Sequence, residues 1–252
     1  MPQVLPYLVP PIKPHVFAPV SFVPYRKIEP RKLAERLDIE PGLRNTSADK
    51  TNSEMTLTAY YDQNALGFLE ATRDVDMSEV HGRFRAVLPD TGAFPARILD
   101  AGSGSGRDSL AFRQMGYAVE AFDASPSMVA ATRDHAGVPT RQMRFEEFVW
   151  EHPFEGIWAC ASLLHVARVD LPSAVSRLVD HLSPGGALYL SFKLGEGERI
   201  RDGRRFTDMT PDNLRYLLDQ SARLRQPDIW LSRDCRPERA SEVWVNAVVQ
   251  KG

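Results

Sequence analysis

Residues 97–108 read Arg-Ile-Leu-Asp-Ala-Gly-Ser-Gly-Ser-Gly-Arg-Asp: a short apolar run, an acid at Asp100, then glycines at 102, 104 and 106. Strand, acid, glycine turn and helix in that order leave few folds open. Alternate glycines let the main chain turn with positive φ and let another molecule sit against bare peptide. A helix opening near Asp108 aims its unpaired N–H groups, with their partial positive charge, at the same place. A second acid, Asp123, closes the next apolar run, Tyr117–Phe122, and stands 23 residues after Asp100. That is one strand–helix–strand step, the spacing at which a carboxylate meets a ribose hydroxyl. The pattern points to an α/β chain that holds a nucleoside.

The glycine spacing narrows the ligand. A dinucleotide loop reads G-x-G-x-x-G, whereas this one reads G-x-G-x-G with Asp100 two residues before it. A carboxylate there repels a pyrophosphate but accepts a hydrogen bond from an amino group. That favours S-adenosyl-L-methionine, with its ammonium and cationic sulfur, over NAD or FAD. Three further segments extend the pattern: Phe122-Asp-Ala-Ser-Pro-Ser-Met128, Phe154 to His165, and Leu182-Ser-Pro-Gly-Gly-Ala-Leu-Tyr-Leu-Ser-Phe192. On these motifs the chain resembles the class I S-adenosylmethionine-dependent methyltransferases, of the small methyltransferase-domain or tellurite-resistance type, over residues 55 to 250. The resemblance implies a Rossmann-like fold, S-adenosyl-L-methionine as cofactor, and methyl transfer to an acceptor.

The alternation of elements agrees. Strands are predicted at 97–100, 118–122, 139–142, 155–161, 186–193, 227–233 and 243–250, with helices at 107–115, 126–135, 171–182 and 211–221. Strands alternating with helices give a doubly wound, mostly parallel seven-stranded sheet with helices on both faces. Asp100, Asp123, Ala161 and Lys193 should then gather at the strands' carboxyl edge. Upstream, apolar and aromatic positions from Leu57 to Thr72 recur at helical spacing, and a second helix is predicted over 78–88.

Residues 1–54 are expected to be a Pro-rich, disordered extension and 55–252 the folded domain. Eight prolines fall in the first 30 residues, which disfavours helix and leaves no apolar signal-peptide core. A short helix is predicted at 31–40, stopped by Pro41-Gly42. The chain has 252 residues and 43% hydrophobic content, enough for a core, but no apolar run long enough to cross a membrane. Two cysteines, Cys160 and Cys235, form no disulfide framework. Cys160 is expected in a buried strand, and the chain reads as cytoplasmic. A net charge of −2 gives no pull towards nucleic acid or membrane. Between Arg199 and Arg239 ten arginines meet seven acids, which reads as a solvated surface.

Candidate residues follow from motif and resemblance together. Asp100, Ala101, Gly102, Ser103, Gly104 and Gly106 are expected to hold the methionine part, with a tight structural turn as the alternative. Arg107 and Asp108 read as the first helical turn. Asp123 is expected to accept the ribose hydroxyls, with Ala124, Ser125 and Met128 beside the adenine. The alternative makes Asp123 a helix cap, although Ser125 before Pro126 suits that place better. Met143, Phe145 and Glu146 occupy the segment where the family contacts adenine, and each could equally be core or surface. Ala161 and Ser162 face the sulfonium by resemblance. His165 is a candidate base or a helix-terminus partner. Lys193, Glu196, Arg204 and Arg205 suggest a mobile loop over the acceptor, or a solvated loop.

Neither a metal site nor a nucleophile motif is present. His15, His81, His135, His152, His165 and His181 lack ligand spacing. Methyl transfer needs in-line positioning, exclusion of water and, for some acceptors, a base. The expected activity is transfer to a small-molecule acceptor. RNA or protein as acceptor is the alternative, but no Asn-Pro-Pro-Tyr or Asp-Pro-Pro-Tyr follows the fourth strand and no basic arm interleaved with aromatics supports it. A cofactor-binding module without turnover is the third reading.

Overall fold

The structure is a computed structural model that describes residues 57–252. The Pro-rich extension and the helix predicted at 31–40 lie outside the described residues. The chain opens with α1 (Leu57–Gln63), α2 (Ala65–Thr72) and α3 (Ser78–Arg85). The alternating body follows: β1 (Arg97–Ala101), α4 (Arg107–Gln114), β2 (Ala118–Asp123), α5 (Pro126–Ala136), β3 (Thr140–Gln142), β4 (Phe154–Ala159), α6 (Leu171–Asp180) and β5 (Leu182–Lys193). It closes with β6 (Glu198–Arg201), β7 (Arg204–Thr207), α7 (Pro211–Asp219), β8 (Asp228–Arg233) and β9 (Val243–Gln250).

Seven strands form one sheet in the order β3-β2-β1-β4-β5-β9-β8. β1 to β5 run parallel, and β9 pairs antiparallel with both β5 and β8. The predicted architecture is therefore the observed one. β1 and β4 are buried on both faces, as the near-continuous apolar runs Ile98-Leu99 and Ile157-Trp158 require of central parallel strands. One face packs Ile98, Trp158 and Tyr189 against Phe84 of α3 and Phe112 of α4. The other packs Leu99, Ile157, Leu188 and Leu190 against Leu171, Val175 and Leu178 of α6 and Leu214 and Leu218 of α7. Each Leu or Phe side chain fully buried in such a layer contributes about 1.5–3 kcal/mol.

The strand order reverses between β1 and β4, so the loops after those strands diverge and open a crevice at their carboxyl ends. α1 and α2 pack on α5, and α1 also reaches β7, so the N-terminal helices stand over that crevice.

Three elements differ from the sequence reading. The helix predicted over 57–72 breaks at Asn64, whose side-chain amide donates to the Tyr60 carbonyl at 2.9 Å and competes with the helical ladder. β4 ends at Ala159, so Cys160 lies just beyond the strand and only half-buried. Residues 198–207 are not an irregular loop but a two-stranded hairpin, turned at Asp202-Gly203 with φ of 52° and 71°. Asp-Gly with both φ values positive is the turn that matches strand twist.

Candidate active site

The glycine loop leaves β1 and wraps under the end of β2. Gly102 and Ser103 both donate their N–H to the Phe122 carbonyl, at 2.9 and 3.0 Å. Gly102, Gly104 and Gly106 have φ of 80°, 53° and 76°. A Cβ on Gly102 would overlap the Ser162 side chain, and one on Gly106 would lie 2.9 Å from the Thr132 Cα. The loop is thus pinned between the β4 exit and α5, and glycine is required on both counts. At its crest Gly104 donates to Asp123 Oδ2 at 2.9 Å, and Ser125 N–H reaches Asp123 Oδ1 at 3.0 Å. Burial pushes the Asp123 carboxyl up, opposed by these N–H bonds. Ser125 caps α5 through the Met128 N–H and gives its own hydroxyl proton to Asp62 of α1 at 2.6 Å. The first helix is thereby tied to the Asp123 end of the crevice.

Beneath the loop is a buried acid pair. Asp100 is 2% exposed, accepts from Ser109 Oγ at 2.6 Å and stands behind the cavity wall rather than on it. Burial, together with the Asp108 charge, pushes its carboxyl up to about 7. Asp108 faces the cavity and accepts from His81, Trp158 and both forks of Arg107 at 2.7–2.9 Å. Burial works to raise this carboxyl too, but Arg107 and His81 outweigh it and hold Asp108 well below the usual carboxylate range. Cys160 lies 3.7 Å from Arg107, and burial pushes its thiol up to about 12, so it stays protonated and is no nucleophile.

After β4, Ala161 adopts φ of 50°, a left-handed conformation that costs a non-glycine residue about 1–3 kcal/mol. Its N–H donates to Ser191 Oγ at 2.9 Å, while Ser162 Oγ donates to the Ala101 carbonyl at 2.6 Å. These two bonds hold the strained residue against the glycine loop. His165 closes the short turn that follows. Its Nδ1 lies 2.7 Å from the Arg205 carbonyl, which can only accept, so Nδ1 carries the proton. Nε2 is then a lone pair and accepts the Tyr61 hydroxyl at 3.0 Å. Burial, the main cause, and the nearby Arg204 and Lys193 charges lower His165 to about 4, so the ring is neutral at physiological pH. Lys193 is ion-paired with Glu242.

A single cavity of about 1150 Å³ joins these groups. Of the sequence candidates, Gly102, Ser103, Gly104, Asp123, Ala124, Ser125, Met128, Met143, Phe145, Glu146, Ala161, Ser162, His165, Lys193 and Arg204 line it. Asp100, Ala101 and Gly106 lie behind the wall and shape the loop. Glu196 is exposed and off the cavity. Sequence reasoning missed Tyr60, Tyr61 and Phe68 as site residues. Phe68 would touch a Cβ on Gly104 at 3.3 Å, so it stands over the loop. Their helical spacing marked a buried face without saying what it faced. Among the described residues no helix is long and apolar enough to cross a membrane, and no group of three or more metal-ligating side chains occurs.

The lining is compatible with an adenosyl amino acid: a carboxylate held at the cavity edge by two N–H groups, Met143 and Phe145 beside it, and a polar turn at Ala161 and Ser162. The family described as methyltransferase domain matches residues 98–186. Those residues hold the glycine loop, Asp123, Ala161 and His165 together. Residues 98–186 are a methyltransferase domain. The ubiquinone biosynthesis O-methyltransferase of Xanthomonas campestris pv. campestris is 33% identical to the domain over 103 residues, or 38% of this chain and 42% of the relative. An uncharacterized methyltransferase of Staphylococcus carnosus is 24% identical over 141 residues, 56% of this chain and 66% of that protein. The chain thus spans less than half the length of the first of these curated relatives. Among solved structures, the Burkholderia thailandensis 1,6-didemethyltoxoflavin-N1-methyltransferase, with 1,6-didemethyltoxoflavin and S-adenosylhomocysteine bound, shares the fold. Its TM-score is 0.58 at 24% identity, covering 80% of this chain and 93% of that one. Magnesium protoporphyrin IX methyltransferase from Synechocystis PCC 6803, with S-adenosylhomocysteine bound, superposes with a TM-score of 0.60 at 13% identity, covering 78% and 98%.

Proposed function

We propose that the methyltransferase domain, residues 55–252, transfers a methyl group from S-adenosyl-L-methionine to a small-molecule acceptor. The observation that carries this is the Asp123 carboxylate, held at the cavity edge by the Gly104 and Ser125 N–H groups. When bound, S-adenosylmethionine supplies a methyl group on a cationic sulfur, which is both electrophile and leaving group. Asp123 has lone pairs left for two ribose hydroxyls. Met143 and Phe145 would flank the base, and Glu146 would accept from its amino group. Gly102 and Ser103 approach the methionine end, with Ala161 and Ser162 opposite, and Asp100 supports this loop from beneath through Ser109.

The acceptor enters between α1, the β6–β7 hairpin and the β4 exit. Tyr61, already donating to His165, offers its oxygen lone pairs to an acceptor hydroxyl or amine. A proton lost there can pass to Tyr61 as Tyr61 gives its own to His165 Nε2. The low basicity of His165 makes this a relay for an acceptor that becomes acidic only as its methyl bond forms. The chamber suits a molecule of metabolite size, and the names of the Xanthomonas and Burkholderia proteins speak for the same class. Two free thiols support a reducing, cytoplasmic location.

Calorimetry and thermal melting with S-adenosylhomocysteine and NAD test the cofactor. S-adenosylhomocysteine at a hundredfold excess over Kd should add about 2.7 kcal/mol of stability. Asp123→Ala should weaken it roughly ten- to a hundredfold, by loss of charge-assisted bonds. Stabilisation by NAD alone would overturn the reading.

A further inference from the structure

The acceptor end of the cavity is ringed by cations, and most are already matched. Arg107 forks onto Asp108, Arg199 onto Asp208 and Arg236 onto Asp234. Arg205 meets Glu198 at 3.0 Å, and Lys193 pairs with Glu242. Arg204, at the start of β7, is the exception. Its side chain is only 15% exposed, yet its one acidic partner among the described residues is Asp202, a long 3.4 Å from Nη2. Asp202 is itself 58% exposed and shared with Arg201 at 3.7 Å. The Arg204 Nε is fully buried and has no partner among the described residues.

What holds Arg204 in place is aromatic. Its Cζ lies 3.7 Å from the Tyr60 ring centroid, 5.2 Å from Phe206 and 5.8 Å from Tyr61. Stacking of this kind uses the face of the guanidinium; its edge meets the Tyr61 hydroxyl, but Nε keeps no partner among the described residues. A planar fork with its face satisfied and its edge only partly used is the arrangement that takes a carboxylate or phosphate through parallel hydrogen bonds. Lys193 and Arg199 lie 5.8 and 4.7 Å from the same Phe206 ring, so three cations converge on one buried aromatic. A clamp between hairpin and α1 would need the stack alone, and a methionine or leucine would serve it without burying a charge.

We propose that Arg204 is a specificity residue that binds an oxyanion on the methyl acceptor, so that the acceptor is a small anionic molecule bearing a carboxylate or a phosphate-type group. This rests on the methyltransferase reading and names its substrate class. Tyr61 lies between Arg204 and His165, so an anion anchored on Arg204 leaves the rest of the acceptor beside the Tyr61 hydroxyl.

Calorimetry on the full chain saturated with S-adenosylhomocysteine, titrated with benzoate, phenylphosphonate and neutral benzamide, tests this. One anion at least should bind saturably and ten or more times tighter than benzamide, and the tighter of the two tells carboxylate from phosphate-type chemistry. Arg204→Met should weaken that anion tenfold or more at unchanged S-adenosylhomocysteine affinity. Arg85→Met, an exposed site away from the cavity, should change neither. Arg204→Lys keeps the charge without the fork and should fall between, and it decides the question if Arg204→Met does not fold. The inference is overturned if neither anion outbinds benzamide, or if the Arg204 variants bind the anions as the parent does. Failure of S-adenosylhomocysteine to bind the parent chain would instead sink the methyltransferase reading, and this inference with it.

Discussion

The two halves of the cavity are built by opposite means. The half proposed to hold the cofactor is mainly main chain. Gly102, Gly104, Ser125 and the left-handed Ala161 present peptide groups, and Asp123 is the one charged side chain that organises them. The half proposed for the acceptor is side chain on side chain. Tyr61 meets His165 across 104 residues of sequence, His165 meets the Arg205 carbonyl across 40, and Arg204 stacks on Tyr60 from a separate hairpin. A site of peptide groups is fixed once the strand–turn–helix is fixed. One of side chains depends on how three distant segments pack, so it can be rebuilt for another acceptor while the first half stays as it is. On the proposed reading, one fold carries a cofactor site beside an adjustable acceptor site.

The largest expected effect should come from the main-chain half. Gly102→Ala adds a Cβ that overlaps Ser162, at φ of 80°. Left-handed strain and overpacking together should destabilise the chain by roughly 2–5 kcal/mol. Denaturant unfolding measures it, and S-adenosylhomocysteine affinity should fall with it. A loss under about 1 kcal/mol would mean that the loop is not rigid and that the contrast between the halves is overdrawn.

This asymmetry also explains what was legible in the sequence. The glycines, Asp123 and the Ser125-Pro126 cap sit within one strand–helix–strand unit, so local spacing placed them. The seven-strand sheet followed from alternation, because Ile98-Leu99 and Ile157-Trp158 leave no polar face for a solvent-exposed strand. The acceptor half left no such trace. Tyr60, Tyr61 and Phe68 look like any amphipathic helix face, and nothing local says that Tyr61 finds His165. The hairpin was legible in principle, since Asp202-Gly203 lies between residues that pair across it, but its charge density read as a solvated loop. Asp100 illustrates the limit within the legible half. Its place in the motif was evident, whereas its burial against Ser109 depends on how α4 docks.

An intermediate effect is expected from pH on the acceptor half. His165 is lowered to about 4 in the folded chain, against about 6.5 when unfolded. Between those values the unfolded chain takes up a proton that the folded one rejects. The stability is therefore complete above about pH 6.5 and is lost as pH falls towards about 4. Allowing for partial exposure of the ring, the loss should be on the order of 2 kcal/mol. Unfolding free energies of parent and His165→Gln, compared across that window, isolate it from the carboxylates. Parallel curves would show that His165 is solvated and that the acceptor half is looser than its hydrogen bonds suggest.

The smallest effect tests whether the halves separate at all. Tyr61→Phe removes the hydroxyl that His165 Nε2 accepts but keeps the ring that packs edge-on against Phe68 at 5.1 Å. Loss of one neutral, partly buried hydrogen bond should cost about 0.5–1.5 kcal/mol, which corresponds to roughly 1–6 °C in Tm. Because Asp62, not Tyr61, ties α1 to Ser125, S-adenosylhomocysteine affinity should stay within about twofold of the parent. Methyl transfer should fall further than stability if Tyr61 passes the acceptor's proton to His165, and the fall should deepen for acceptors with weakly acidic hydroxyls. If cofactor affinity drops as far as turnover does, α1 couples the two sites, and the acceptor half cannot be remodelled without disturbing the cofactor half.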